Sequence, residues 1–243
     1  MTAMGAYRTA GPDRGLSEDL ARAALTLARR FADGATMWCV APTWPSHARH
    51  VAVEFVHPVI VGTRALPALS VDGAEAQESL RVLARPGDIL LLASTADDRR
   101  ALDLLGRSEA WGLMRVWIGA GPRPTGSRAD HIVWSGEADP ALAARSGDLV
   151  LLYHLLWELT HVVFEHPGLL EEDAGCTDEV CITCSDEGRV AEVQSVLPDG
   201  SVQVLVGGRP EAVDASLVDP VVPGDLLLVH AGVALTALEM TRP

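Results

Sequence analysis

Three of the four cysteines, Cys176, Cys181 and Cys184, fall within nine positions, while Cys39 stands alone far upstream. In a chain kept in a reducing compartment, such a cluster serves metal or redox chemistry more often than a structural disulfide. Its C-x4-C-x2-C spacing suits a thiolate-bound iron–sulfur cluster, but the fourth downstream cysteine that such a cluster needs is missing. Cys39 lies in an apolar run where a buried, inert thiol is the usual outcome. A tetrahedral zinc site made of the three thiolates and either His161 or His166 is the other reading. A second set of chemistry-bearing residues is spaced by three and four: His47, His50, Glu54 and His57, then His154, Glu158, His161 and Glu165. Each set shares one face of a helix. The simplest reading is two solvated faces of amphipathic helices; if the faces meet, they form a metal or acid–base pocket.

The elements that must carry these residues follow from periodicity. Leu16 to Ala32 has helical spacing, with Ser17 as N-cap and Gly34 as stop. Short apolar runs then predict buried strands at Thr36–Val40, Pro67–Val71, Asp88–Ala93, Leu113–Ile118 and His131–Trp134. Helices are predicted between them over Ser46–Val56, Glu75–Leu83 and Asp97–Ala110, with one long closing helix from about Pro140 to Glu165. This alternation predicts a doubly wound α/β domain, a parallel sheet covered by helices on both faces. Past His166 the texture changes. Pro167 and Gly168 break the helix, Glu171, Glu172 and Asp173 lead into the cysteines, and short strands with turn signals follow. Strands are expected at Arg189–Val196, Val202–Val206, Ala212–Val213 and Asp225–His230, forming a small all-β barrel. The expected organisation is a loosely held or disordered N-terminus over 1–14, an α/β domain over 15–167, an acidic linker over 168–180 and the β domain over 181–243.

Charge narrows the partners. With 33 acidic against 19 basic residues the net charge is −14, which opposes binding to a phosphate backbone, so no nucleic acid is expected. The N-terminus lacks a basic start followed by an apolar stretch, which points to a cytoplasmic protein. The most apolar run, Leu149 to Phe164, is interrupted by His154, Glu158, Thr160 and His161. It predicts a buried core helix and no membrane span.

The segment CITCSDEGRVAEV, followed by VQVLVGGRPEAVDASLVDPVVPGDLLLVHAGVAL, resembles the HypC/HupF family of nickel–iron hydrogenase maturation chaperones. Cys181 matches the family's essential cysteine, Gly188 and Val190 its first strand, and Gly207 with Gly208 its central turn. Leu217, Val218, Pro223, Gly224, Asp225, His230 and Gly232 match the remaining blocks. The resemblance implies an OB-like barrel whose Cys181 and His230, with Cys184 as a further candidate, transiently hold an iron carrying cyanide and carbon monoxide. A soft thiolate and a borderline imidazole suit such an iron. It also implies two partners, a hydrogenase large-subunit precursor and a HypD-type iron–sulfur scaffold protein. Unlike family members, which carry the cysteine directly after the initiator Met, this chain carries Cys181 internally.

The preceding part resembles the sugar isomerase (SIS) domain, nearest to phosphoheptose isomerases, through SHARHVAVEF, RPGDILLLASTADDRRAL and WGLMRVWIGAG followed by ADHIV. The resemblance implies a homodimer or homotetramer. It implies Glu54 as the base and His154, with His161 as a competing assignment, as the acid of an aldose–ketose isomerisation, with Ser46, Ser94 and Thr95 as ligand-binding residues. Against turnover, Ala41–Pro45 replaces a Gly-rich turn and Asp97 and Asp98 stand where a phosphate would sit. At 4 Å each carboxylate–phosphate charge pair would cost about 4 kcal/mol at an effective dielectric of 20. The sequence therefore predicts a maturation factor with a degenerate isomerase domain, and a sugar-phosphate isomerase or phosphosugar-binding regulator as the alternative.

Overall fold

A computed structural model describes residues 14–58, 62–170, 188–198, 200–218 and 220–238. Cys176, Cys181 and Cys184, the acidic stretch before them and the first thirteen residues lie outside the described residues.

The first unit runs α1 (Arg14–Ala32), β1 (Met37–Val40), α2 (Pro45–Val56), β2 (Ala68–Val71), α3 (Ala76–Leu83), β3 (Ile89–Ala93), α4 (Arg99–Ala110), β4 (Met114–Gly119), β5 (His131–Trp134), α5 (Pro140–Ser146) and α6 (Asp148–Glu165). All five strands are parallel, in the order β2-β1-β3-β4-β5. Strands β1, β3 and β4 are buried at every position because both faces are covered. Alternation divides their side chains. Met37, Cys39, Ile89, Leu91, Val116 and Ile118 pack towards α1, α2 and α6, whereas Trp38, Val40, Leu90, Leu92 and Trp117 pack towards α3 and α4. Burial raises the Cys39 thiol well above its ordinary pKa.

The single closing helix expected from Pro140 to Glu165 is two helices. Gly147 adopts φ 94°, a left-handed conformation that suits glycine and lets the chain turn between α5 and α6. Helix α4 starts two residues later than expected, because Asp98 is its N-cap. Its carboxylate accepts from the backbone N–H of Arg100 and Ala101 at 3.0 and 3.2 Å.

The second unit is an antiparallel sheet of β6 (Arg189–Val196), β7 (Val202–Val206), β8 (Arg209–Val213), β9 (Leu226–His230) and β10 (Val233–Leu238), in the order β10-β9-β6-β7-β8. Strand β10 was not expected, and β8 begins three residues before the predicted Ala212. The sheet curls on itself: Asp214, just past β8, bridges to Val233 at the start of β10. Ala191, Val193, Val204, Leu227 and Val229 fill its interior.

Helix α4 joins the two units. Val190 and Leu226 of the β unit belong to the same apolar cluster as Leu104, Leu105 and Trp111. Between them lies Glu192, 1% exposed. Its carboxylate accepts from Arg107 Nη1 at 3.1 Å, Trp111 Nε1 at 2.8 Å and Gln194 Nε2 at 3.2 Å. Backbones also meet, since Gly208 N–H donates to the Ala110 carbonyl at 2.7 Å.

Candidate functional site

The two His/Glu stripes are not a pair of independent solvated faces. Helices α2 and α6 cover the same face of the sheet, and where they touch, His50 and Glu54 of α2 meet Tyr153 and His154 of α6. The tight turn after β1 and Pro45 in the first turn of α2 start that helix at the carboxyl end of the strand. Val51, Ala52 and Phe55 are then buried, which leaves His50 and Glu54 at the helix–helix seam.

The distances define a compact group. His50 Nε2 lies 3.1 Å from Glu54 Oε1, His154 Nε2 lies 3.5 Å from the same oxygen, and the two Nε2 atoms are 3.4 Å apart. The side chains of His50 and His154 are 41% and 43% exposed, so solvent reaches the group, while Glu54 is more enclosed at 19%.

Behind it stands a hydrogen-bonded support. His47 Nε2 is 3.0 Å from the Ala144 carbonyl, which can only accept, so this nitrogen carries the proton and Nδ1 is an acceptor. Burial lowers the His47 pKa; the bond to Ala144 opposes that shift and the nearby His50 reinforces it. The Tyr153 hydroxyl lies 2.8 Å from His50 Nδ1 and 3.4 Å from His47 Nδ1. Burial first, and the Glu54 charge second, raise its pKa, so it stays a phenol with one proton to give.

Two arrangements of protons follow. If Tyr153 donates to His50 Nδ1, then Nε2–H of His50 donates to Glu54. If Tyr153 donates to His47, then His50 Nδ1–H donates to the tyrosine oxygen, and Nε2 turns a lone pair towards Glu54 and His154. Nε2–H of His154 donating to that lone pair, or a cation held among the three groups, stabilises the second arrangement. The edge of a tetrahedron with metal–ligand bonds of 2.0–2.1 Å is about 3.3 Å, close to the three separations here, and the three donor atoms all lie within 4.8 Å of one another. Two imidazoles and a carboxylate suit zinc, and the solvent-facing side leaves a position open for water or a ligand.

The other residues singled out by the sequence are dispersed. His161 is buried, with Nδ1 2.9 Å from the Trp157 carbonyl and Nε2 2.9 Å from the Arg64 carbonyl, so both nitrogens are occupied away from the seam. His57, Glu158, Glu165 and His166 are exposed. Ser46 is exposed in the first turn of α2. Ser94 is buried; its hydroxyl donates to the Thr95 carbonyl and accepts from Trp117 Nε1 at 2.8 Å, and Thr95 is half-buried. Asp98, expected to face a phosphate, caps α4 and also accepts from Thr43 Oγ1 at 2.8 Å.

In the β unit His230 is the last residue of β9, half-buried, at the Ala231–Gly232 turn into β10. The register pairs Arg189 with Val229, so the chain enters β6 from Gly188 level with His230. Sequence reasoning missed Tyr153 and Glu192. Tyr153 sits in an apolar run, where a polar group signals that a partner must satisfy it, whereas the alternation of β6 puts Glu192 on the face opposite Ala191 and Val193 and carries no such signal.

Comparison with known proteins divides the chain at the same place. Residues 174–242 match the HupF/HypC family. The α/β unit has the fold of solved phosphoheptose isomerases. The Francisella tularensis enzyme aligns with a TM-score of 0.53 at 15% identity, covering 61% of this chain and 88% of that one. The Neisseria gonorrhoeae enzyme aligns at 0.50 and 14%, with the same coverages. A Bacteroides fragilis structure, described as a phosphosugar isomerase involved in capsule formation, aligns at 0.51 and 17%, covering 63% of this chain and 82% of its own. Among curated proteins there is no match. No helix among the described residues is long and apolar enough to cross a membrane.

Proposed function

We propose that this protein is an accessory chaperone of nickel–iron hydrogenase maturation, acting in the cytoplasm. Its HypC-like β unit binds a hydrogenase large-subunit precursor and receives an iron–cyanide–carbonyl group from a HypD-type scaffold. The observation that carries this reading is the match of residues 174–242 to the HupF/HypC family, together with the PGDLLLVH block ending at His230. Cys181 and His230 hold the iron cargo between them, with Cys184 a further candidate. Cys181 lies seven residues before Gly188, a stretch of at most about 25 Å, so the chain length permits thiolate and imidazole to share one iron. The α/β unit is a degenerate sugar-isomerase domain that serves either to assemble a homodimer or homotetramer or to sense a ligand. The test is complementation: Cys181→Ala and His230→Ala each keep the fold, judged by unchanged melting, and abolish nickel–iron hydrogenase activity in cells that depend on this protein. Normal hydrogenase activity in both variants overturns the reading.

A second reading is favoured by the meeting of His50, Glu54 and His154. On it the α/β unit has kept a metal or acid–base centre at the α2–α6 seam, with Glu54 as base and His154 as acid. An acid and a base that work on one sugar must flank it. Here they lie 3.5 Å from each other, which fits joint ligation of a cation better than isomerisation.

A further inference from the structure

A cavity of about 1050 Å³ opens between α3 and α4, on the face of the sheet opposite the histidine seam. Arg99 and Arg100 from the first turn of α4 and Arg128 from the β4–β5 connection line it. Elsewhere in this acidic chain the arginines that face carboxylates are paired with them, as Arg81, Arg107, Arg115 and Arg189 show. No ion pair holds the three cavity arginines among the described residues, and Nη1 of Arg128 is buried with no hydrogen-bond partner. A buried guanidinium donor without an acceptor is unfavourable, and an anion that draws the Arg128 side chain towards the cavity removes the penalty. The acid in the lining, Asp103, is already held by Arg107 Nε at 3.1 Å. Ser46, Ser94 and Thr95, the residues suggested by resemblance, do not line this cavity.

The remaining wall decides the body of the ligand. Pro42, Leu102 and Leu105 present apolar surface, and Gln77 and Thr125 add polar side chains beside it. A planar base would lie on the apolar part with its polar edge towards Gln77 and Thr125. We propose that this cavity binds a nucleoside phosphate, its phosphates on Arg99, Arg100 and Arg128 and its base against the apolar wall. Guanidinium forks grip phosphate oxygens in pairs, which gives both strength and orientation.

The experiment is isothermal titration of the full chain with ADP, inorganic phosphate and sedoheptulose 7-phosphate as separate probes. ADP binds at least tenfold more tightly than either of the others. Arg128→Ala, and separately the exposed pair Arg99→Ala with Arg100→Ala, each weaken ADP about tenfold or more, while Arg145→Ala on α5 leaves it unchanged. Because Arg99 and Arg100 are surface positions, that pair of substitutions keeps the fold, and melting curves verify it. No heat with millimolar ADP overturns the proposal. So does ADP binding that survives the arginine substitutions, or sedoheptulose 7-phosphate binding as tightly as ADP.

Discussion

Glu192→Ala is expected to loosen the α4–β6 junction and to lower the stability of the whole chain. The carboxylate is 1% exposed and accepts three hydrogen bonds, two of them from α4 across the junction. Removing one member of a buried ion pair costs about 3–5 kcal/mol when its partner is left bare. Arg107 is not left bare, because its Nε still meets Asp103 at 3.1 Å and its Nη1 the Gly224 carbonyl at 2.8 Å. The Trp111 indole N–H does lose its acceptor inside the junction, at about 1–3 kcal/mol. Together these give a loss of about 3 kcal/mol, or roughly 6–12 °C in melting temperature for a chain of this length. Glu192→Gln keeps an acceptor oxygen and loses about half as much. Urea unfolding of the wild type, both variants, Arg107→Ala and the double mutant measures the loss and the coupling. A Glu192→Ala melt within a degree of wild type, or a Glu192–Arg107 coupling below about 0.3 kcal/mol, would refute the junction as described.

Two further expectations concern the histidine seam. His47 is held neutral in the folded chain, with its pKa below the ordinary 6.5 because of burial. The unfolded chain therefore takes up the proton first, so stability is full above about pH 6.5 and declines as pH drops from there through the lowered native value. Urea midpoints between pH 7.5 and 5 should fall, and fall less in His47→Gln; identical slopes in the two proteins contradict the assignment. In a chain with Cys176, Cys181 and Cys184 replaced by Ser, zinc should bind at the seam, and His154→Ala should weaken it by tenfold or more. Zinc affinity indifferent to that substitution would exclude the seam as a ligand set.

Where burial alone fixed the structure, the sequence was readable. The runs that became β3, β4, β6 and β7 are apolar for most of their length or alternate, and their positions follow within a residue. The break at Gly147 was hidden because the apolar pattern resumes on both sides of it, and only the backbone shows the left-handed turn. Strand β10 was hidden because Leu235, Thr236 and Ala237 are exposed and its pairing slips by a residue, which erases the alternation. The meeting of the two His/Glu stripes could not be read from spacing. Spacing tells which residues share a helix face, and only tertiary packing tells what that face meets. Glu192 misleads for the same reason: with Val190 and Gln194 it marks the outer face of β6, and α4 covers that face.

The covering helix also changes what the fusion means. The turn made by Gly207 and Gly208, the pair that resemblance assigns to the centre of the β unit, is pressed onto the end of α4. A side-chain carbon at Gly112 would come within 2.6 Å of the Gly207 carbonyl oxygen, and one at Gly208 within 2.7 Å of the Trp111 carbonyl oxygen. Both glycines have φ of 77°, so their conformation and the close approach alike favour the absence of a side chain. Ladder register puts this turn at the end of the sheet that also carries Arg189 and His230, since Ala191 pairs with Val206 and Arg189 with Val229. Strands β9 and β7 are two places apart in the sheet, so His230 stands about 10 Å along that end from strand β7. A partner that reaches the histidine therefore arrives at the end of the sheet whose Gly207–Gly208 turn rests on the α/β unit. Helix α4 begins at the cavity arginines, reaches Arg107 about two turns later and is capped by Trp111, both of them at the Glu192 junction. An occupant of the cavity would thus bear on the start of α4, whose other end holds the β unit through Glu192 and Gly208, which links the cavity physically to the unit that carries His230.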